Sequence, residues 1–568
     1  MAHGVRAPRI DLFPSLAGYQ RAWLSGDVIA GLTVWAVLVP EALAYATVAG
    51  VSPIVGLYAA PGALVFYAAF GSSRHLIVGP MSATAALSAA TVADLAGPGD
   101  DAFLMLTTSL ALTVGLIGVI AAMLRLGFVA NFVSEPVLKG FIIGLALTIM
   151  AGQLPSLLGL EKDEGNFFEQ IWAVLTHLDD ASGWTTVVGL VSLGLLLGLR
   201  RMAPRVPGSL VATAFGIGAI VIFNLDSEGV AIVGEIDGGL PDVGVPEGLA
   251  GSDMLNLSAG AVGVLLVGFA EGLGAAKSYA ARNGYEIDAD DELLGLGAAN
   301  IASGLTGGMV VNGSLSKTAV NAGAGARTQV SGLVVAGLTI VTFLFLTGLF
   351  EELPEATLAA IVIGALIELV DVPGLKRLYG IHSTALGPVL GAAARADFIA
   401  ALAALFGVLL FDTLPGLFIG IATSMILLLY RAYRPRMAIL GRVRGTEQFA
   451  DLSRHPENRP VPGLVVIRVE SGLFFANAEA VRQRVEKLAG RNGVQAVLID
   501  AESIPFVDMT AAEMLIRLGE SLQRGGKRLM LANEIGQVRD LISTTAPDEP
   551  LETYRTVAEA VARFRAQA

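Results

Sequence analysis

Two short stretches decide how this 568-residue chain reads: LIVGPMSATAALS at 76–88 and GMVVNGSLSKTAV at 308–320. Each begins as an apolar run, breaks at Gly or Pro, and resumes with helical character. Neither is long enough to cross a bilayer core of about 30 Å as a straight helix, which takes about 20 apolar residues. Broken backbone at membrane depth is tolerated only where it is buried in protein or lines a cavity. Matched interruptions in two halves of a chain mark a midplane site between inverted repeats. Two half-helix N-termini meeting there present free N–H groups and positive dipole ends, which favour an anion.

Apolar segments surround both stretches. They fall near 28–49, 53–70, 77–96, 103–123, 129–151, 185–200 and 208–223, and again near 256–281, 289–308, 313–324, 327–349, 354–370, 396–411 and 414–432. Fourteen segments divide into seven plus seven, and an odd number gives the halves opposite topology. Basic residues test the order, because Lys and Arg collect in cytoplasmic loops. With the N-terminus inside, the cytoplasmic connections carry Arg74, Arg125, Arg200, Arg201, Arg205, Lys277, Arg282, Arg327, Lys376, Arg377 and Arg395. The outer loops carry Lys162 and acidic runs. Arg431, Arg434 and Arg436 then mark a cytoplasmic exit. The expectation is a multi-pass protein of the cytoplasmic membrane with both termini inside. Arg6, Arg9 and Arg21 precede no short apolar run with a cleavage site, so no removable signal peptide is expected.

Composition agrees. Hydrophobic residues make up 54% and charged residues only 15%, against roughly 25% in soluble domains, which excludes a soluble globular enzyme and a disordered chain. Of the net charge of −13, none lies in 441–568, where 17 basic and 17 acidic residues balance. An acidic, apolar body argues against nucleic acid, which needs a basic surface. With no cysteine and five unpaired histidines, no metal site, cofactor or catalytic machinery is expected.

After Arg436 the composition becomes that of a soluble protein. GLVVIRVE, VQAVLID and KRLMLAN read as strands and alternate with amphipathic helices, one of them opened by Asp508, which indicates a sheet covered by helices. The domain expectation is a cytoplasmic segment at 1–25 and a transmembrane body at 26–436, with repeats near 26–225 and 255–436. A linker at 437–460 and an α/β domain at 461–568 follow.

GLTVWAVLVPEALAYATVAGVSPIVGLYAA at 31–60 and FVSEPVLKGFIIGLA at 132–146 resemble the signature regions of the SulP family of sulfate permeases (solute carrier family 26 in animals). So does the long stretch from Glu271 to Gly332, and the tail resembles the attached STAS domain. The resemblance implies a mostly α membrane protein of fourteen segments in inverted repeats, arranged as core and gate domains, with elevator-type alternating access and a homodimer in the lipid bilayer. It implies a small anion as cargo: sulfate first, with bicarbonate, chloride or a dicarboxylate as alternatives. It places the anion between the third and tenth segments, at Pro80, Met81, Ser82 and Ala83 and at Gly313, Ser314, Leu315 and Ser316, with Lys317 where many animal relatives carry arginine. Glu41 and Tyr45 of the first segment stand alongside.

These residues make sense chemically. Lys317, Glu41 and Glu271 are costly at membrane depth unless they face a polar cavity or a partner. Lys317 is expected to add field to the anion site without forming a tight ion pair. Glu41 and Glu271 are the coupling candidates. In sodium-dependent relatives an acid at the Glu271 position is followed four residues later by a hydroxyl, one turn away on the same face. Here that residue is Ala275, and Leu315 stands where those relatives carry threonine. Protons are therefore the expected coupling ion, and sodium-coupled bicarbonate transport the alternative. A sensor signalling anion occupancy through the tail is the other alternative. In the tail, Asp508 reads as a helix cap and Thr510 stands near the position that is phosphorylated in single-domain STAS proteins.

Overall fold

The computed structural model describes residues 12–93, 95–97, 101–128, 134–162, 165–203, 206–236, 238–246, 251–367, 369–383, 387–411, 413–545 and 551–567. Arg205 and the first part of the expected N-terminal segment lie outside the described residues. Two compact units divide the chain, 1–424 and 425–568.

The first half of the membrane unit runs α1 (Leu24–Val48), α2 (Pro53–Phe70), β1 (Ile77–Gly79), α3 (Ser82–Ala93), α4 (Asp101–Met123), α5 (Glu135–Leu158), α6 (Phe167–Thr176), α7 (Gly183–Met202) and α8 (Gly208–Phe223). The second runs α9 (Gly251–Asn283), α10 (Ala289–Leu305), β2 (Asn312–Ser314), α11 (Leu315–Gly323), α12 (Val330–Val341), α13 (Glu355–Ile367), α14 (Val372–Ser383), α15 (Gly387–Phe411) and α16 (Thr413–Tyr433). A helix stands at each segment read from the sequence. Among the described residues nine are long and apolar enough to cross a membrane, and three apolar helices are shorter. α6 and α14 are additional connecting helices. α6 is opened by a capping box in which Asn166 accepts from Phe168 N and Glu169 N.

The helices form two bundles. α10 packs on α4 and α2, α1 on α12, and α3 and α4 on α9; separately, α15 and α13 pack on α5, and α7 on α13 and α8. Each bundle draws helices from both halves of the sequence. Small residues allow the closest crossings. A Cβ on Gly56 would lie 2.0 Å from the Ala42 carbonyl oxygen, so α1 and α2 touch backbone to backbone there. Within lipid, where apolar side chains gain little by leaving their surroundings, such close approach supplies much of the helix association.

At one end of the first bundle, buried acids tie loops to helices. Glu292 accepts from Tyr67 OH (2.6 Å), Ser72 N (2.8 Å), Ser72 Oγ (2.7 Å) and Ser73 N (2.8 Å). Asp27 accepts from Arg327 N (2.7 Å) and from Thr328 N and Oγ1. Gln329 donates to the carbonyls of Ser73 and Leu76. These bonds join α1, α2, α10 and α12 into one body.

The second unit carries β3 (Met437–Arg442), β4 (Phe449–Asp451), β5 (Leu464–Val469), α17 (Ala478–Ala489), β6 (Ala496–Asp500), α18 (Met509–Arg524), β7 (Arg528–Ala532), α19 (Gly536–Thr545), β8 (Glu552–Tyr554) and α20 (Val557–Gln567). The sheet order is β4-β3-β5-β6-β7-β8, parallel from β5 to β8 and antiparallel at β3 and β4. α17, α18 and α19 bury Val481, Val485, Leu515, Leu518 and Val538 on one face, while α20 buries Val561 and Phe564 on the other. The stretch that reads as linker, 437–460, supplies β3 and β4 to this sheet.

Candidate functional site

β1 and β2 form a three-residue antiparallel ladder, Ile77 opposite Ser314, Val78 opposite Gly313 and Gly79 opposite Asn312. Each strand leads straight into a half-helix, β1 into α3 and β2 into α11. The antiparallel register is what an in-plane two-fold relation between the halves produces. Pro80 follows β1 and cannot donate to a ladder, while its fixed φ suits the entry of a helix. Ser314 caps α11, its Oγ accepting from Lys317 N at 3.2 Å. Glycine at position 313 allows a close approach: a Cβ there would lie 2.8 Å from the end of the Leu76 side chain and 3.1 Å from Gly272 Cα, so both neighbours would have to shift.

Lys317 sits beside this crossing with its side chain 1% exposed, and its Nζ lies 2.7 Å from Glu41 Oε2. It also donates to the Pro80 carbonyl at 3.3 Å and lies 5.1 Å from the centre of the Tyr45 ring. Tyr45 OH is 3.5 Å from Glu41 Oε2. The expected absence of a tight ion pair concerns Lys317 and the anion; within the protein its partner is Glu41. An ammonium withdrawn this far from water needs a counter-charge, and the Glu41 carboxylate supplies it.

The structure brings together Glu41, Tyr45, Met81, Ser82, Ala83, Gly313, Ser314, Ser316 and Lys317. Met81, Ser82 and Ala83 are buried at the start of α3. Leu315 contributes its backbone to the start of α11 but exposes half of its side chain. Glu41 and Ser316 reach a cavity of about 670 Å³. Its wall on one side is α1 and α11; on the other it is α7, α8 and α13, with Arg200 and Ser209 among its lining. The site thus stands where the two bundles face each other.

Glu271 on α9 is half-buried, and its Oε2, shielded from solvent, has no hydrogen-bond partner among the described residues. Sequence reading passed over Asn312. Its side chain is fully buried against Gly268 and Gly272, with neither polar atom bonded among the described residues. The available signal was an amide in an otherwise apolar run, VVNGS. In the second unit Asp508 caps α18, accepting from Ala511 N at 2.8 Å, and also accepts from Phe475 N at 2.8 Å. Thr510 is exposed. Among the described residues no cluster of His, Asp and Glu could hold a metal ion.

Residues 24–387 match the sulfate permease family and residues 455–560 the STAS domain. A probable sulfate transporter of Mycobacterium tuberculosis is 37% identical over 552 residues, 96% of either chain. High affinity sulfate transporter 2 of Stylosanthes hamata is 29% identical, covering 96% of this chain and 85% of its own. Among solved structures, the murine solute carrier 26 family member A9 anion transporter in its inward-facing state superposes with a TM-score of 0.87 at 21% identity, over 100% of this chain and 96% of that one. The transmembrane domain of the cyanobacterial bicarbonate transporter BicA gives 0.59 at 24% identity, over 72% and 98%.

Proposed function

The chain belongs to the sulfate permease family, and from that premise we propose that it carries sulfate across the cytoplasmic membrane together with protons. The observation that carries this reading is the Glu41–Lys317 pair, set at two half-helix N-termini and open to a cavity between the bundles. Lys317 and the free amides of α3 and α11 supply positive potential suited to a small anion. In the structure the Glu41 carboxylate occupies that potential. A proton on Glu41 removes its charge, breaks the ion pair and leaves Lys317 for the incoming anion. Proton and anion are then taken up together. Glu271, whose Oε2 is shielded from solvent, is a further stopping place for a proton. Sodium has little to hold it, because Ala275 and Leu315 offer no side-chain oxygen.

The cavity reaches the end of α7 and the start of α8, where basic residues mark the cytoplasmic side, so the site is open inward. The bundle tied together by Glu292, Asp27 and Gln329 carries the site past the bundle of α5, α7, α8 and α13, an elevator movement. The protein works as a homodimer with both termini in the cytoplasm, and the STAS domain begins at Met437, because β3 and β4 belong to its sheet.

Uptake of labelled sulfate, bicarbonate and a dicarboxylate into proteoliposomes, under an imposed proton or sodium gradient, tests the reading. Sulfate accumulation driven by acid outside is the expected result. Accumulation driven by sodium at constant pH overturns the coupling, preference for another anion overturns the substrate, and no uptake of any anion favours a sensor.

A further inference from the structure

α17 covers β5 and β6 but leaves part of β3 open. Along that opening runs a groove of about 550 Å³, wholly within the second unit. Its floor includes Met437, Ile439 and Val465, apolar side chains left half-buried. Arg484 and Arg491, seven residues apart along the α17 side, line the same groove. Both are exposed, and among the described residues neither side chain has a hydrogen-bond or ion-pair partner. Lys487, also exposed, stands between them in the sequence, three residues after Arg484.

The acids nearby are already engaged. Asp451 is held by Arg436 at 3.0 Å and by Ser453, Glu470 lies 3.6 Å from Arg436, and Glu479 and Glu486 both pair with Arg482. Positive charge beside the groove is therefore locally in surplus although the tail as a whole is neutral. An exposed arginine alone is ordinary; two unpaired ones along a half-buried aliphatic floor describe a ligand with a charged and a greasy part. Arginine matches phosphate oxygens in a two-pronged geometry. Only Arg434, Pro435 and Arg436 separate the end of α16 from the start of β3, at most about 14 Å of chain. The groove thus begins close to where the chain leaves its last apolar helix.

We propose that this groove binds a phosphate ester carrying an aliphatic chain. The phosphate lies at Arg484 and Arg491, and the chain lies along Met437, Ile439 and Val465. Two sources offer this chemistry: an anionic phospholipid of the cytoplasmic leaflet, and a soluble alkyl phosphate.

The full chain contains no cysteine, so Asn492→Cys at the groove rim places a polarity-sensitive fluorophore at one site. In discs of phosphatidylcholine, hexyl phosphate should shift its emission saturably, and inorganic phosphate or hexanol should not. Arg484→Gln with Arg491→Gln should raise half-saturation about tenfold or more, the loss expected for one charge-assisted contact. Arg517→Gln, on α18 and paired with Glu513, should leave it unchanged. A shift already present in discs containing phosphatidylglycerol, and lost in the double variant, supports the leaflet as source. An equal hexyl phosphate response in both kinds of disc supports the soluble source. No saturable shift with hexyl phosphate, an equal response to inorganic phosphate, or an unchanged half-saturation in the double variant overturns the proposal.

Discussion

The Glu41 carboxylate meets the Lys317 ammonium at 2.7 Å, so the first helix of one repeat neutralises the half-helix of the other. Removing one member of a buried pair costs about 3–5 kcal/mol, because the remaining charge is left uncompensated. Lys317→Gln should lower thermal stability and weaken sulfate binding by more than about tenfold. Glu41→Gln should bind sulfate at least as well at neutral pH yet lose accumulation driven by a proton gradient. The double variant should recover stability without recovering binding. Thermal shift and radiolabelled sulfate binding measure both quantities. Equal affinity in Lys317→Gln and in Lys376→Gln, an exposed lysine, at matched folded yield contradicts the assignment.

Contact between α1 and α2 depends on position 56. Gly56→Ala forces a methyl group into the Ala42 carbonyl, so the helices must separate. Overpacking of this kind costs about 1–3 kcal/mol or more. The expected outcome is a lower unfolding temperature and a smaller folded fraction in size-exclusion chromatography. Gly218→Ala meets nothing within 4 Å and should behave as wild type.

Tyr67→Phe deletes the shortest hydrogen bond to Glu292 and leaves a buried acceptor short of one donor. The cost should be about 1–3 kcal/mol. Glu292→Gln should cost a similar amount: its amide oxygen can still accept from Ser72 and Ser73, but without the charge that strengthens those bonds, and its NH2 group replaces Oε2 opposite Tyr67 OH, which must turn from donor to acceptor. If this knot holds the moving bundle together, both variants should speed hydrogen exchange at residues 71–76 more than at α13. Uniform change across the unit would count against that role.

Acid should loosen the edge of the tail's sheet. Hydrogen bonding from Arg528 holds the Glu552 carboxyl below its ordinary value, with Tyr554 OH adding to the effect. A carboxyl lowered on folding stabilises above its unfolded pKa, near 4.3, and that contribution fades as the pH falls through the folded value. Protection of the β7 and β8 amides, taken relative to the intrinsic exchange rate at each pH, should therefore fall between neutral pH and about pH 4 or below. Glu552→Gln should start from faster exchange and lose this acid dependence.

The apolar segments and both breaks are legible in sequence because run length and the position of Gly and Pro are local properties. The half-helix starts at Ser82 and Leu315 follow from Pro80 and the Ser314 cap. The Glu41–Lys317 pair is not legible in the same way. No spacing rule links the two residues, and their meeting depends on how α1 passes the crossing of α3 and α11. Asn312 is hidden for the same reason, since its burial comes from Gly268 and Gly272 on another helix. α6 and α14 are too short, and α14 too polar, to register as spans. The stretch 437–460 reads as a linker because β4 is three residues long and RVRGTEQ interrupts the apolar pattern. Its strand character comes from pairing with β5.

The ladder between β1 and β2 also imposes a schedule on biogenesis. Residues 77–79 enter the membrane region early, with backbone groups that lipid cannot satisfy. Their partners, 312–314, are made only after the eight helices α3 to α10 have been synthesised. Until then the nascent third segment has to be shielded by the insertion machinery or by water. A ribosome stalled before residue 312 should therefore expose 77–79 to solvent labelling, and one stalled well beyond 323 should protect it.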